Sequence, residues 1–67
     1  MTYFINIKLL GDLGETKINR DKVKMVTLNK SEITDRKLVT VTYDDGSVVT
    51  FTEGLTIENA ELVYKLF

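Results

Sequence analysis

The side chains in this chain that have any capacity for chemistry are carboxylates and cations. Cys, His and Trp are all absent from its 67 residues, which removes the nucleophile–base pairs of acyl transfer and the common zinc ligands. Asp44 and Asp45 are adjacent, and neighbouring carboxylates in a tight loop point apart into water, so they read as turn formers rather than an acid–base couple. Asp12, Glu15 and Asp21 offer oxygen ligands without the dense alternation of a calcium loop. The glycines of "LLGDLGE" match neither phosphate-loop nor dinucleotide spacing. The sequence therefore predicts no enzyme, no metal and no cofactor.

The cations are the next candidates. Residues 1–37 carry eight Lys/Arg against five Asp/Glu, whereas residues 38–67 carry Lys65 alone against Asp44, Asp45, Glu53, Glu58 and Glu61. Such a gradient suits steering of a partner. Lys17, Arg20, Lys22, Lys24, Lys30, Arg36 and Lys37 are expected to meet at one end of a folded sheet, with Lys22 and Lys24 on one strand face. Tyr3, Phe4 or Tyr43 would supply a stacking surface, and together these form a candidate contact for single-stranded or duplex nucleic acid. The net charge of −1 opposes tight nonspecific DNA affinity, and lysines also guard open strand edges.

Apolar side chains give the leading functional class. Phe4, Leu10, Val48, Leu62, Leu66 and Phe67 are hard to bury together in so short a chain, and side chains left outside form an interaction patch. Below about 70–80 residues a core is thin and oligomerisation often supplements it. The expectation is a protein-binding accessory or adaptor that self-associates, a homodimer held by the C-terminal segment, with Phe4, Leu10, Leu62, Leu66 and Phe67 as interface. No apolar run is long enough for a membrane span, and no basic signal-type start is present. The expected setting is cytoplasmic, away from membranes.

The elements that must position these residues form a single mainly β (α+β) domain over 1–67: a small antiparallel sheet, or an SH3-like partly open barrel, of about five strands with a short C-terminal helix. "TYFINIKLL" alternates, placing Tyr3, Ile5, Ile7 and Leu9 on one face. "GDLGE" breaks it, and "TKIN" around Ile18 is a second strand, followed by an "NRD" turn capped by Asn19 or Asp21. "KVKMVTLN" puts Val23 and Met25 out of phase with Val26 and Leu28, which calls for a β-bulge near Met25 or Val26. "KSEITD" is a connection with Ile33 tucked beneath it. "KLVTVTYDDGSVVTF" is a hairpin, and burial selects its register. A three-residue loop, Asp44-Asp45-Gly46, pairs Tyr43 with Ser47, Val41 with Val49 and Val39 with Phe51, gathering apolar side chains on one face. In "GLTIENAELVYKLF", Thr56 is expected to cap a helix from Ile57, with Glu58 in its first turn, Lys65 in its last, and Ile57, Ala60 and Tyr64 along one side. A final strand over 62–67 is the alternative.

From Ile5 onward the run "INIKLLGD", "KINRDKV", "VTVTYDDGSVVTF" and an amphipathic tail resembles the small flagellar proteins of the FlbD type. Asn19, Asp21 and Val23 stand where that family has its Asn-x-Asp-x-Ile turn. The segment "TLNKSEITDRK" is longer than the family's connection. The resemblance implies a small accessory protein rather than an enzyme. In size and style the chain is also similar to accessory proteins of phage or mobile elements, which implies a phage-type inhibitor of a host protein as a further reading.

Overall fold

The structure, a computed structural model, describes residues 3–67. Strands β1 (Phe4–Lys8) and β2 (Glu15–Asn19) form one antiparallel sheet, and β3 (Val23–Lys30), β4 (Lys37–Tyr43) and β5 (Val48–Thr52) form a second in the order β3-β4-β5. The helix α1 spans Ala60–Lys65, and short 3-10 turns occupy Gly11–Leu13 and Arg20–Lys22. The two sheets do not close into a barrel. Among the described residues no helix is long and apolar enough to cross a membrane.

Alternation builds the shared core. Ile5 and Ile7 of β1 and Ile18 of β2 point inward, as do Val39 and Val41 of β4 and Phe51 of β5, and the group is completed by Ile57, Ala60 and Val63. Ile5 stands opposite Ile18, and Val41 opposite Val49. Tyr3, expected on the inward face of the first strand, is exposed, because it lies before β1 begins.

The bulge falls at Lys24. Val23 pairs with Tyr43 while Met25 pairs with Thr42, so Lys24 is the extra residue. One added residue reverses the alternation. It returns Val23 to the side of Val26 and Leu28, all three packed against the core, and leaves Met25 outside. The Asn19 side chain caps the preceding turn by accepting from the Asp21 amide at 3.0 Å.

The β4–β5 hairpin has the register that burial selects, with Val41 on Val49 and Val39 on Phe51. Its loop closes through Gly46 N donating to Tyr43 O at 3.1 Å and Tyr43 N to Ser47 O at 2.8 Å. Gly46 adopts φ 91°. A β-branched side chain is strained there, so Gly46→Val is expected to cost about 1–3 kcal/mol in urea unfolding. A smaller loss for Gly46→Asn, which tolerates left-handed backbone better, would assign the effect to φ, and equal losses would not.

Two expectations need correction. Ile33 is not tucked beneath its connection but 96% exposed. The segment closes on itself instead, through Ser31 N to Arg36 O and Asp35 N to Ser31 O, both at 2.9 Å, which carries Ile33 to the outside of the β3–β4 turn. The helix begins at Ala60, not Ile57. Thr56 and Ile57 donate their amides to Thr52 O, and Gly54 N donates to Ile57 O, so this stretch is a tight reversal after β5 that drives Ile57 into the core. Asn59 is the cap, accepting from Leu62 N at 3.2 Å, and Glu53 Oε1 accepts from Ala60 N at 3.0 Å. Glu61, not Glu58, lies in the first turn, and Lys65 lies in the last. With the start moved, Ala60 and Val63 face inward and Tyr64 faces out.

Candidate functional site

The hydrogen bonding of β1 leaves one side of it unused. Leu9 N donates to Gly14 O and Arg20 N to Tyr3 O, both at 2.8 Å. These fix Ile5/Ile18 and Ile7/Thr16 as the bonded pairs of the ladder. The backbone groups of Phe4, Asn6 and Lys8 therefore face away from β2. At the end of this edge Leu10 N is taken by Thr56 O at 2.9 Å, but among the described residues no backbone bond engages Phe4, Asn6 or Lys8 on that side.

Beside this edge runs α1, which packs on β3 and β4. Between them is a groove of about 350 Å³, with Asn6, Ile7 and Lys8 on one wall and Asn59, Leu62, Val63 and Leu66 on the other. Leu62 is 62% and Leu66 47% exposed. Polar contacts brace the helix wall: the Glu53 carboxylate on the Ala60 amide, a Lys37–Glu61 ion pair, and Arg20 Nε donating to Phe67 O at 3.3 Å.

Compared with protein families, curated proteins and solved structures, the chain matches none.

The candidate interface residues do not form one patch. Leu62 and Leu66 line the groove together. Phe4, on the exposed face of β1, lies away from the groove and lines a cleft with Lys17, Lys22 and Tyr43. Leu10 is half-buried near Gly11 and Glu58, and Phe67 is half-buried against the core. Val48 is exposed on the outer face of β5. Asn6, Lys8 and Asn59 of the groove carry no sequence signal, since the edge is defined by a missing neighbour.

Nor do the seven cations meet at one end. Lys17, Arg20, Lys22 and Lys24 cluster where β2 turns into β3, while Lys30, Arg36 and Lys37 sit at the far end of the β3–β4 hairpin. The far group is engaged: Lys30 with Asp35 at 3.0 Å, Arg36 Nη1 on Glu53 O at 3.2 Å, and Lys37 with Glu61. Lys22 and Lys24 do not share a strand face, because Lys22 belongs to the 3-10 turn and Lys24 is the bulge. Lys22 lines the cleft beside Tyr43, and Lys24 a groove beside Tyr64. In the turn, Asp44 and Asp45 are exposed, and Asp45 accepts from the Ser47 amide at 2.9 Å and hydroxyl at 2.7 Å.

These contacts set an acid limit. The Ser47 hydroxyl and amide hold Asp45 below its ordinary carboxylate value, and the hydrogen bond and charge of Lys37 do the same for Glu61. A carboxylate depressed on folding contributes stability above its unfolded pKa of about 4, and loses it as pH falls through the lower folded value. Lys37 is raised by Glu61, so its share is present below its unfolded value of about 10.4 and is lost only as pH rises through the folded value. The thermal midpoint, followed by circular dichroism, is expected to fall below about pH 4. Asp45→Asn, which keeps an acceptor oxygen but does not titrate, should make that fall shallower, and an unchanged slope would contradict the assignment.

Proposed function

We propose that this protein is a non-enzymatic protein-binding module, an accessory or adaptor, that takes an extended segment of a partner protein between β1 and α1. The observation that carries this reading is the open β1 edge lying beside the apolar helix wall. A strand edge supplies main-chain hydrogen bonds for affinity, and a flanking apolar surface selects alternate side chains. Along an extended segment, side chains on one side repeat about every 6.6 Å. Leu62 and Leu66 repeat along α1 at about 6 Å, so two apolar residues separated by one position match the wall.

The test uses a displayed library of extended peptides, selected on the wild-type chain and counter-selected on Leu62→Asp/Leu66→Asp. Both positions are exposed, so the variant is expected to stay folded, and its thermal midpoint checks this. Enrichment of apolar-x-apolar peptides is expected, with amide shifts confined to Phe4–Lys8 and α1 and at least about tenfold weaker binding to the variant. No enrichment, or shifts elsewhere, would remove the groove from consideration. Sedimentation equilibrium covers the other occupant: a dimer dissolved by the same substitutions would seat a second copy in place of the partner segment.

A further inference from the structure

We propose that the end of the molecule where β2 turns into β3 is a binding site for single-stranded nucleic acid, separate from the β1–α1 groove and sharing with it Phe4 alone, whose backbone belongs to the strand edge and whose ring belongs to this end. Five cations converge there. Lys17, Arg20, Lys22 and Lys24 are joined by Lys65, which α1 delivers from the opposite end of the sequence to the groove containing Arg20 and Lys24. Among the described residues, the ion pairs of this chain are Lys30–Asp35 and Lys37–Glu61, so none of the five is neutralised by a carboxylate at contact distance. At the far end of the β3–β4 hairpin Lys30, Arg36 and Lys37 are each held by an acceptor, whereas at this end, among the described residues, Arg20 alone is, through Nε on Phe67 O at 3.3 Å.

The local backbone explains the arrangement. The 3-10 turn Arg20–Lys22 and the bulge at Lys24 form a ridge with cations on both flanks. Each flank also carries an aromatic ring. On one side Tyr64, 41% exposed, stands with Arg20, Lys24 and Lys65 around a groove of about 330 Å³. On the other, Phe4, 53% exposed, and Tyr43 stand with Lys17 and Lys22 around a cleft of about 580 Å³. Asp44 and Asp45 line that cleft too, and Asp45 is occupied by Ser47.

Cations beside aromatic rings on each flank suit a strand that offers both phosphates and unstacked bases. A duplex keeps its bases stacked and would make no use of the rings. An acidic peptide would use the cations alone. The side chains on both flanks of the ridge would hold successive phosphates, with a base against Tyr64 and another against Phe4 or Tyr43.

The experiment is fluorescence anisotropy with a labelled oligothymidine of about 12 nucleotides, from about 20 to 200 mM salt. Affinity is expected to fall with salt at a logarithmic slope of about 2–4, the range for three to five phosphate contacts on a single strand. Lys22→Glu/Lys24→Glu should weaken binding at least about tenfold, Tyr64→Ala about five- to tenfold, and Lys30→Glu less than about twofold. All these positions are exposed, and thermal unfolding confirms that each variant is folded. No binding at low salt would overturn the proposal. So would equal loss in Lys30→Glu, undiminished binding in Tyr64→Ala, or equal affinity for a duplex or for polyglutamate. Leu62→Asp/Leu66→Asp should bind the oligonucleotide as the wild type does, which separates this site from the peptide groove.

Discussion

Ile57→Ala is expected to lower the unfolding free energy by about 2–5 kcal/mol, the range for truncating a fully buried isoleucine without collapse of the cavity. Ile57 is completely enclosed and belongs to the cluster shared by Ile5, Ile7 and Ile18 of one sheet and Val39, Val41 and Phe51 of the other. It also sits at the reversal between β5 and α1, where Gly54 N donates to its carbonyl at 2.7 Å, so the backbone has little freedom to close the gap. A domain of this length has roughly 3–10 kcal/mol in total. The variant should therefore be partly unfolded at ambient temperature or close to it, as read by urea denaturation with circular dichroism. Leu55→Ala, two residues earlier and exposed, should change stability by less than about 0.5 kcal/mol. Equal stability of the two variants would refute the placement of Ile57 in the core.

The second large effect concerns chain length rather than side-chain size. Deleting Lys24 removes the residue that reverses the alternation of β3, and the strand must then choose which apolar set to turn outward. If Val26 and Leu28 keep their partners Val41 and Val39, Val23 leaves the core and the bond from Asp44 N to Lys22 O, 2.8 Å long, is lost with its register. Exposing Val23 costs about 1.5–3 kcal/mol and the bond about 0.5–1.5 kcal/mol. Since Val23 is only half-buried, a total of about 2–4 kcal/mol is expected from denaturant unfolding. Lys24→Ala keeps the count of residues and should stay within about 0.5 kcal/mol of the wild type. A deletion as mild as the alanine substitution would mean that the bulge does not set the register.

The contrast between these positions shows what local pattern conveys. The β4–β5 hairpin was legible because two independent constraints agree: Gly46 suits the left-handed position, and only the three-residue loop puts Val39, Val41 and Phe51 on one face. The bulge was legible as a conflict of phase, although the pattern placed it at Met25 or Val26 rather than Lys24. The helix start was not, because Thr56 and Asn59 are both good caps and Ile57 has helical spacing from Ala60 and Tyr64. The core's demand for Ile57, met by the reversal at Thr52, decides between them, and that demand is tertiary. The same holds for the site. Leu62 and Leu66 could be named as exposed apolar residues, but the strand edge opposite them exists only because β1 pairs on one side. Lys24 and Lys30 are near in sequence, yet an extended strand separates them by roughly 20 Å. Lys65, remote in sequence, comes to the ridge through the docking of α1.

The projecting turn at Ser31–Arg36 has a practical consequence. Ile33 stands almost wholly outside the protein surface, and the chain contains no cysteine. A thiol introduced at Ile33 would be the single attachment point for a spin label or fluorophore, outside the residues that line the helix groove and the basic ridge. Because lengthening a flexible connection costs only slowly increasing entropy, the same turn is also the natural place to insert an affinity tag or a reporter domain, leaving both surfaces free to be interrogated at once.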